Sequence, residues 1–173
     1  MTTHSDDHTV WIGSAVDSEG KAACHLTWGS VQSLLKPQAV MDTARDLAAA
    51  AAHAETDIAL LSVLRDQLGL DIQTAGHLLL DVRARRALPP TPSALRIEAV
   101  AGAKTGLPYV RIARGSMKAQ LTPAEAREMA GQWTQAAIAA QNDVRLRYAL
   151  GEWDHLTPAQ IEDLFQKMQE LSR

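Results

Sequence analysis

The chain has 173 residues, 46 % of them hydrophobic and only 4 % aromatic, with 21 % charged and a net charge of −3. That supplies enough apolar material for a buried core and excludes a disordered tail. The single cysteine, Cys24, excludes an internal disulfide and a cysteine-based zinc site.

In chain order, residues 1–9 (MTTHSDDHT) read as a flexible polar start. Val10–Val16 is a short apolar strand, closed by a turn at Asp17–Gly20. Ala22–Trp28 is a second strand, Gly29-Ser30 turns the chain, and Ser30–Leu35 is a third. Pro37 then opens a long helix whose apolar positions recur at helical spacing: Val40, Ala44, Leu47, Ala50, Ala51, Ala54, Ile58 and Leu61. A second helix runs from Asp71 to about Arg86. Residues 87–94 (ALPPTPSA) hold three prolines and read as an extended connector.

The same plan follows again. Strands are expected at Leu95–Val100, Pro108–Ala113 and Ser116–Leu121, where apolar and polar residues alternate with a period of two. Thr122-Pro123-Ala124-Glu125 is a helix start: Thr122 caps, Pro123 suits the first helical position, and Glu125 bonds back. The helix carries Ala126, Met129, Ala130, Trp133, Ala136, Ala137, Ala140 and Val144 on one stripe. Leu156-Thr157-Pro158 starts the last helix in the same way.

These likenesses are a tandem repeat. Cys24–Leu64 aligns without a gap on Val110–Leu150, an offset of 86, and 11 of the 41 positions are identical. Gly29, Ser30, Leu35, Pro37 and Asp57 are matches that an Ala-rich composition does not explain. The expected architecture is α+β. It is a duplicated βββαα unit with repeats at 10–86 and 95–173, joined by the 87–94 linker and packed as an intramolecular pseudo-dimer. The Ala-rich seams make the two long helices the expected mutual contact.

No nucleotide-binding glycine loop, nucleophile elbow or zinc-protease motif is present, and a non-catalytic protein without cofactor, metal or small-molecule substrate is expected. His77 and Asp81 are two potential ligands four residues apart, which is too few for a site. Cys24, on a strand among apolar residues, reads as a small core hydrophobe.

The copies differ most on their sheets. Continued upstream, the offset sets Trp11 on Ile97, which makes Trp11 a core residue. It sets Val10 and Ile12 on Arg96 and Glu98, which gives the first sheet an apolar outer face in need of a cover. Trp133 replaces Leu47 and belongs to the core. Trp28 aligns with Arg114 and Trp153 with Gln67, so both are expected to be partly exposed. Val10, Ile12, Trp28 and Trp153 therefore form the expected partner-binding set, with another protein or a second copy as partner.

Charge supplies the alternative. Residues 1–81 hold 4 basic and 11 acidic side chains (−7), residues 82–118 hold 8 and 1 (+7), and residues 119–173 hold 5 and 8 (−3). Arg96, Lys104, Arg111, Arg114 and Lys118 decorate the second meander as a nucleic-acid-binding candidate set. Arg83, Arg85 and Arg86 suit the negative end of a helix instead. The longest apolar run is too short for a membrane span, and no signal segment opens the chain. A cytoplasmic binding or regulatory protein of bacterial or phage origin, acting through a protein interface, is the expectation.

Overall fold

A computed structural model of the chain describes residues 10–86, 95–102, 107–115, 117–152 and 155–171. The expected flexible start (1–9), the linker (87–94), Lys104 and Trp153 lie outside them.

The element order is βββαα twice over. It comprises β1 (Val10–Val16), β2 (Ala22–Trp28), β3 (Val31–Leu35), α1 (Pro37–Ser62, continued by a π-helical turn Val63–Gln67) and α2 (Ile72–Arg86). Then follow β4 (Arg96–Val100), β5 (Tyr109–Arg114), β6 (Met117–Leu121), α3 (Pro123–Gly151) and α4 (Pro158–Leu171). The sheets are separate antiparallel meanders, β1-β2-β3 and β4-β5-β6. The pair Trp28↔Val31 closes on Gly29-Ser30, and Arg114↔Met117 flanks Gly115. Gly29 and Gly115 have φ of 56° and 58°, a left-handed conformation that a β-carbon opposes.

The helix starts follow their sequence signals. The Glu125 N–H donates to Thr122 Oγ1 (3.2 Å), and the Thr122 N–H donates to Glu125 Oε2 (2.7 Å). Thr157 and Gln160 repeat this box on α4. On α2 the cap is Asp71, whose Oδ1 accepts the N–H groups of Gln73 and Thr74. The π turn after Ser62 is closed by the Leu70 N–H on the Leu64 carbonyl, with Gly69 at φ 66°. By length and composition alone, Pro37–Gln67 is apolar enough to cross a membrane. Its stripe of Val40, Ala44, Leu47, Ala50, Ala51 and Ala54 is nevertheless buried in this fold.

The chain divides into two compact units. One is Asp42–Gly131; the other joins the residues up to Met41 to those from Gln132 onward. Asp42–Gly131 holds the β4-β5-β6 sheet together with α2 and most of α1. There Val110 packs in one cluster with Ala50, Ala51, Ala54 and Ala126, and Ile97, Ala99 and Leu121 lie against it. The second-half sheet is thus covered by the first-half helix. Ala126 and an ion pair from Arg127 to Glu55 bring the start of α3 against α1 as well. A second cluster ties Leu61 and Leu64 to Ala75, Leu79 and Ala101.

Asp57 is the one buried charged residue among those described, at 1 % exposure. Arg83 of α2 reaches it with Nε (2.7 Å) and Nη2, and spends Nη1 on the Ala99 carbonyl of β4 (2.8 Å). One guanidinium therefore fastens α1, α2 and β4 together. Arg83 has more to do than complement a helix dipole.

The other unit combines β1-β2-β3 with the first turn of α1, α3 from Gln132, and α4. Its buried side chains are Ala23, Cys24, Leu26, Trp28, Val40, Trp133, Ala136, Ala137, Ala140, Ile161 and Phe165. Arg147 of α3 stacks over Phe165, 4.1 Å from the ring centroid, and pairs with Glu162 of α4. Burial repeats between the halves: Val40/Ala126, Leu47/Trp133, Ala51/Ala137, Ala54/Ala140 and Leu79/Phe165 are buried in both copies.

Candidate interaction faces

Cross-strand register decides which side chains share a face, because directly opposed residues point the same way. In the first sheet Val10 lies opposite Trp28, Ile12 opposite Leu26 and Ser14 opposite Cys24. Trp28, Leu26 and Cys24 are 3 %, 5 % and 0 % exposed, so this is the inward face. In the second sheet Ile97 lies opposite Ile112 and Ala99 opposite Val110, again inward. The inner sets therefore match as Ile12/Ile97 and Ser14/Ala99, an offset of 85 in the first strand and 86 elsewhere.

That single residue corrects two expectations, and the burial of the central strand corrects a third. Strand side chains alternate, so a slip of one exchanges the faces. Val10 and Ile12 are half-buried inward residues, not an apolar outer face. Trp11 is not core: it points outward and is 49 % exposed. Trp28 is not partly exposed, because it sits inward on the central strand, where a tryptophan fills more of the core than the arginine of the other copy. An outer apolar face does exist on the first sheet, built from different residues.

Trp11, Gly13, Ala15, Ala23, His25, Thr27, Gln32 and Leu34 lie on that outer face by alternation, and of these Ala23 is buried, at 4 % exposure. None carries a fixed charge. The Trp11 indole lies over Gly13, where a β-carbon would come within 2.5 Å of its Cη2. It meets the His25 ring edge-on, at 6.0 Å between centroids and 63° between planes. Gly13, His25 and Leu34 are one row across the three strands, and Leu34 is 56 % exposed. The space of the missing side chain at position 13 is thus filled by its neighbour's ring.

The corresponding positions of the second sheet are Arg96, Glu98, Val100, Tyr109, Arg111, Ala113, Lys118 and Gln120. No residue type is shared at any of the eight positions. Arg111 donates to Glu98 through Nε (2.8 Å) and Nη2, and this bond raises the guanidinium pKa further. Arg96 and Lys118 flank Ala113 in one row, both exposed and without a partner among the described residues. Arg114, expected beside them, belongs by alternation to the opposite face at the rim of the sheet.

Against family models, curated proteins and solved structures, the chain gives no match.

The remaining sequence candidates lie apart from these faces. Cys24 is buried, and burial pushes its thiol pKa up to about 11, so it is a packing residue and a poor nucleophile. His77 and Asp81 are exposed on α2. Among the described residues no group of three or more His, Cys, Asp or Glu side chains is placed to hold a metal ion. A cleft in the Asp42–Gly131 unit is lined by Leu60, Leu64, Leu78, Asp81, Val82 and Arg85, mostly aliphatic side chains. The Trp11 face and the Arg83 clamp escaped the sequence reading. The repeat of Asp57 at Asp143 was the only sequence trace of the clamp.

Proposed function

We propose that the chain is a non-catalytic binding or regulatory protein that engages a partner protein through the outer face of its first sheet. The observation that carries this is the pose of Trp11: a large, half-exposed indole fixed against Gly13 and His25 on a face without charge. A preoriented aromatic loses little side-chain freedom on docking, and Trp is enriched among the side chains that dominate interfaces. Neighbouring Leu34 extends the apolar area. Duplication supports the reading. In the internal pseudo-dimer that we infer from the repeat, one copy's outer face is free to diverge while the inner faces keep their packing.

The test is affinity purification from the native host with nuclease treatment, comparing wild type with Trp11→Arg and with Arg96→Ala/Lys118→Ala. One protein lost with Trp11→Arg and retained with the double variant supports the reading. Capture that ignores Trp11 refutes it.

Arg96 and Lys118, without a partner among the described residues, favour a second reading, a nucleic-acid contact on the outer face of the second sheet. It predicts salt-sensitive retention on DNA that the Arg96→Ala/Lys118→Ala variant loses.

A further inference from the structure

The edges of the two sheets differ as sharply as their faces. In the second sheet edge strand β4 carries Arg96 and Glu98, and edge strand β6 carries Lys118. Charges on edge strands oppose pairing with another chain. Edge strand β1, VWIGSAV, carries none, contains no proline, and at seven residues is longer than β4. One chain therefore holds both a guarded edge and its unguarded counterpart.

We propose that β1 is an interface for a second copy of this chain, pairing antiparallel with its own counterpart about a dyad at Gly13. The proposal rests on the reading of the first sheet as the docking surface and names its occupant. Only a register centred on Gly13 overlaps all seven residues while keeping inward side chains on the inward face. That register sets Trp11 opposite Ala15 of the second copy, Ile12 opposite Ser14, Val10 opposite Val16, and Gly13 opposite Gly13. Large meets small at the two pairs where crowding would arise, and no like charges meet. A self-complementary pattern is what an isologous contact requires.

Trp11 adds a second, geometric argument. Its ring already lies over Gly13, the residue on the dyad. Opposed backbones in an antiparallel pair stand about 4.5–5.5 Å apart. The two indoles would then lie on the same outward face, one on either side of the dyad. Glycine at position 13 leaves the room that both rings need. In the second sheet Glu98 fills that position and Arg96 replaces the tryptophan, so the same contact is closed to it.

Sedimentation of the full chain over a range of concentrations tests this, with near-ultraviolet circular dichroism reporting the indole pair. Trp11→Arg and Gly13→Glu install the residues that the second sheet carries at these places, which argues that the fold accepts them. Wild type is expected to dimerise with concentration. Both variants are expected to weaken the dimer at least about tenfold and to abolish the dichroism that grows with association. Leu34→Arg, on the far edge strand, is expected to leave the dimer intact. Wild type that stays monomeric to about 1 mM, or that dimerises as tightly with Arg at position 11, overturns the proposal. A monomeric wild type that still loses a captured protein on Trp11→Arg overturns the self-pairing alone and leaves the docking face standing.

Discussion

Removing Arg83 is the most demanding test of how the Asp42–Gly131 unit is held. Arg83→Met deletes two hydrogen bonds to Asp57 and one to the Ala99 carbonyl while keeping most of the aliphatic volume. The Asp57 side chain is only 2 % exposed, so its carboxylate is left without water and without a cation. Stranding one member of a buried ion pair costs about 3–5 kcal/mol, whereas replacing both members by apolar groups is often neutral. The double variant Asp57→Leu/Arg83→Met still leaves the Ala99 carbonyl without its donor, a cost of about 1–3 kcal/mol. The single variant is therefore expected to be the less stable of the two. A typical domain is stable by about 5–15 kcal/mol, so the single loss is a large fraction of the total. Urea unfolding followed by far-ultraviolet circular dichroism, at constant slope, reads both numbers. A single-variant cost below about 1 kcal/mol, or a double variant as unstable as the single, would refute the clamp.

Thr122→Ala removes the α3 cap and is expected to cost about 1 kcal/mol, visible as a lower urea midpoint. Glu125 is held below the usual carboxylate range by the Thr122 backbone N–H and then by its hydroxyl. The Arg147 hydrogen bond does the same for Glu162. A lowered folded-state pKa contributes stability above the ordinary value of 4.5 that is lost as pH falls below it. Unfolding midpoints measured from neutral pH downward should therefore drop in that window, with a shallower slope in Glu125→Gln. Cys24, with its thiol raised to about 11, is expected to resist a thiol reagent in native protein and to react once urea unfolds it. Rapid labelling of the folded chain would contradict its burial.

Much of this architecture was legible because local signals and the repeat agreed. The Thr122 and Thr157 boxes, the Gly29 and Gly115 turns and the Ala seams are short-range chemistry, and each lies where its residues place it. The first strand was misassigned for a different reason. Between β1 and β2 the two copies differ in length by an odd number of residues, and a period-two element turns that difference into an exchange of faces. Trp11 thereby took the role of Ile97, and Val10 and Ile12 took those of Arg96 and Glu98. The Arg83 clamp joins residues 26 apart on two helices to a strand carbonyl. Such a meeting is fixed by tertiary packing, and periodicity holds no record of it.

The order in which the chain leaves a ribosome gives the divided unit a history. Asp42–Gly131 is continuous, so every piece of it is available once Gly131 has emerged. The β1-β2-β3 meander is made first, yet the helical segments of its unit beyond Met41 begin at Gln132. Until they emerge it waits with Leu26, Trp28 and Cys24 lacking their final cover. A nascent chain halted before residue 132 would present that uncovered sheet to chaperones, and completing α3 would withdraw it.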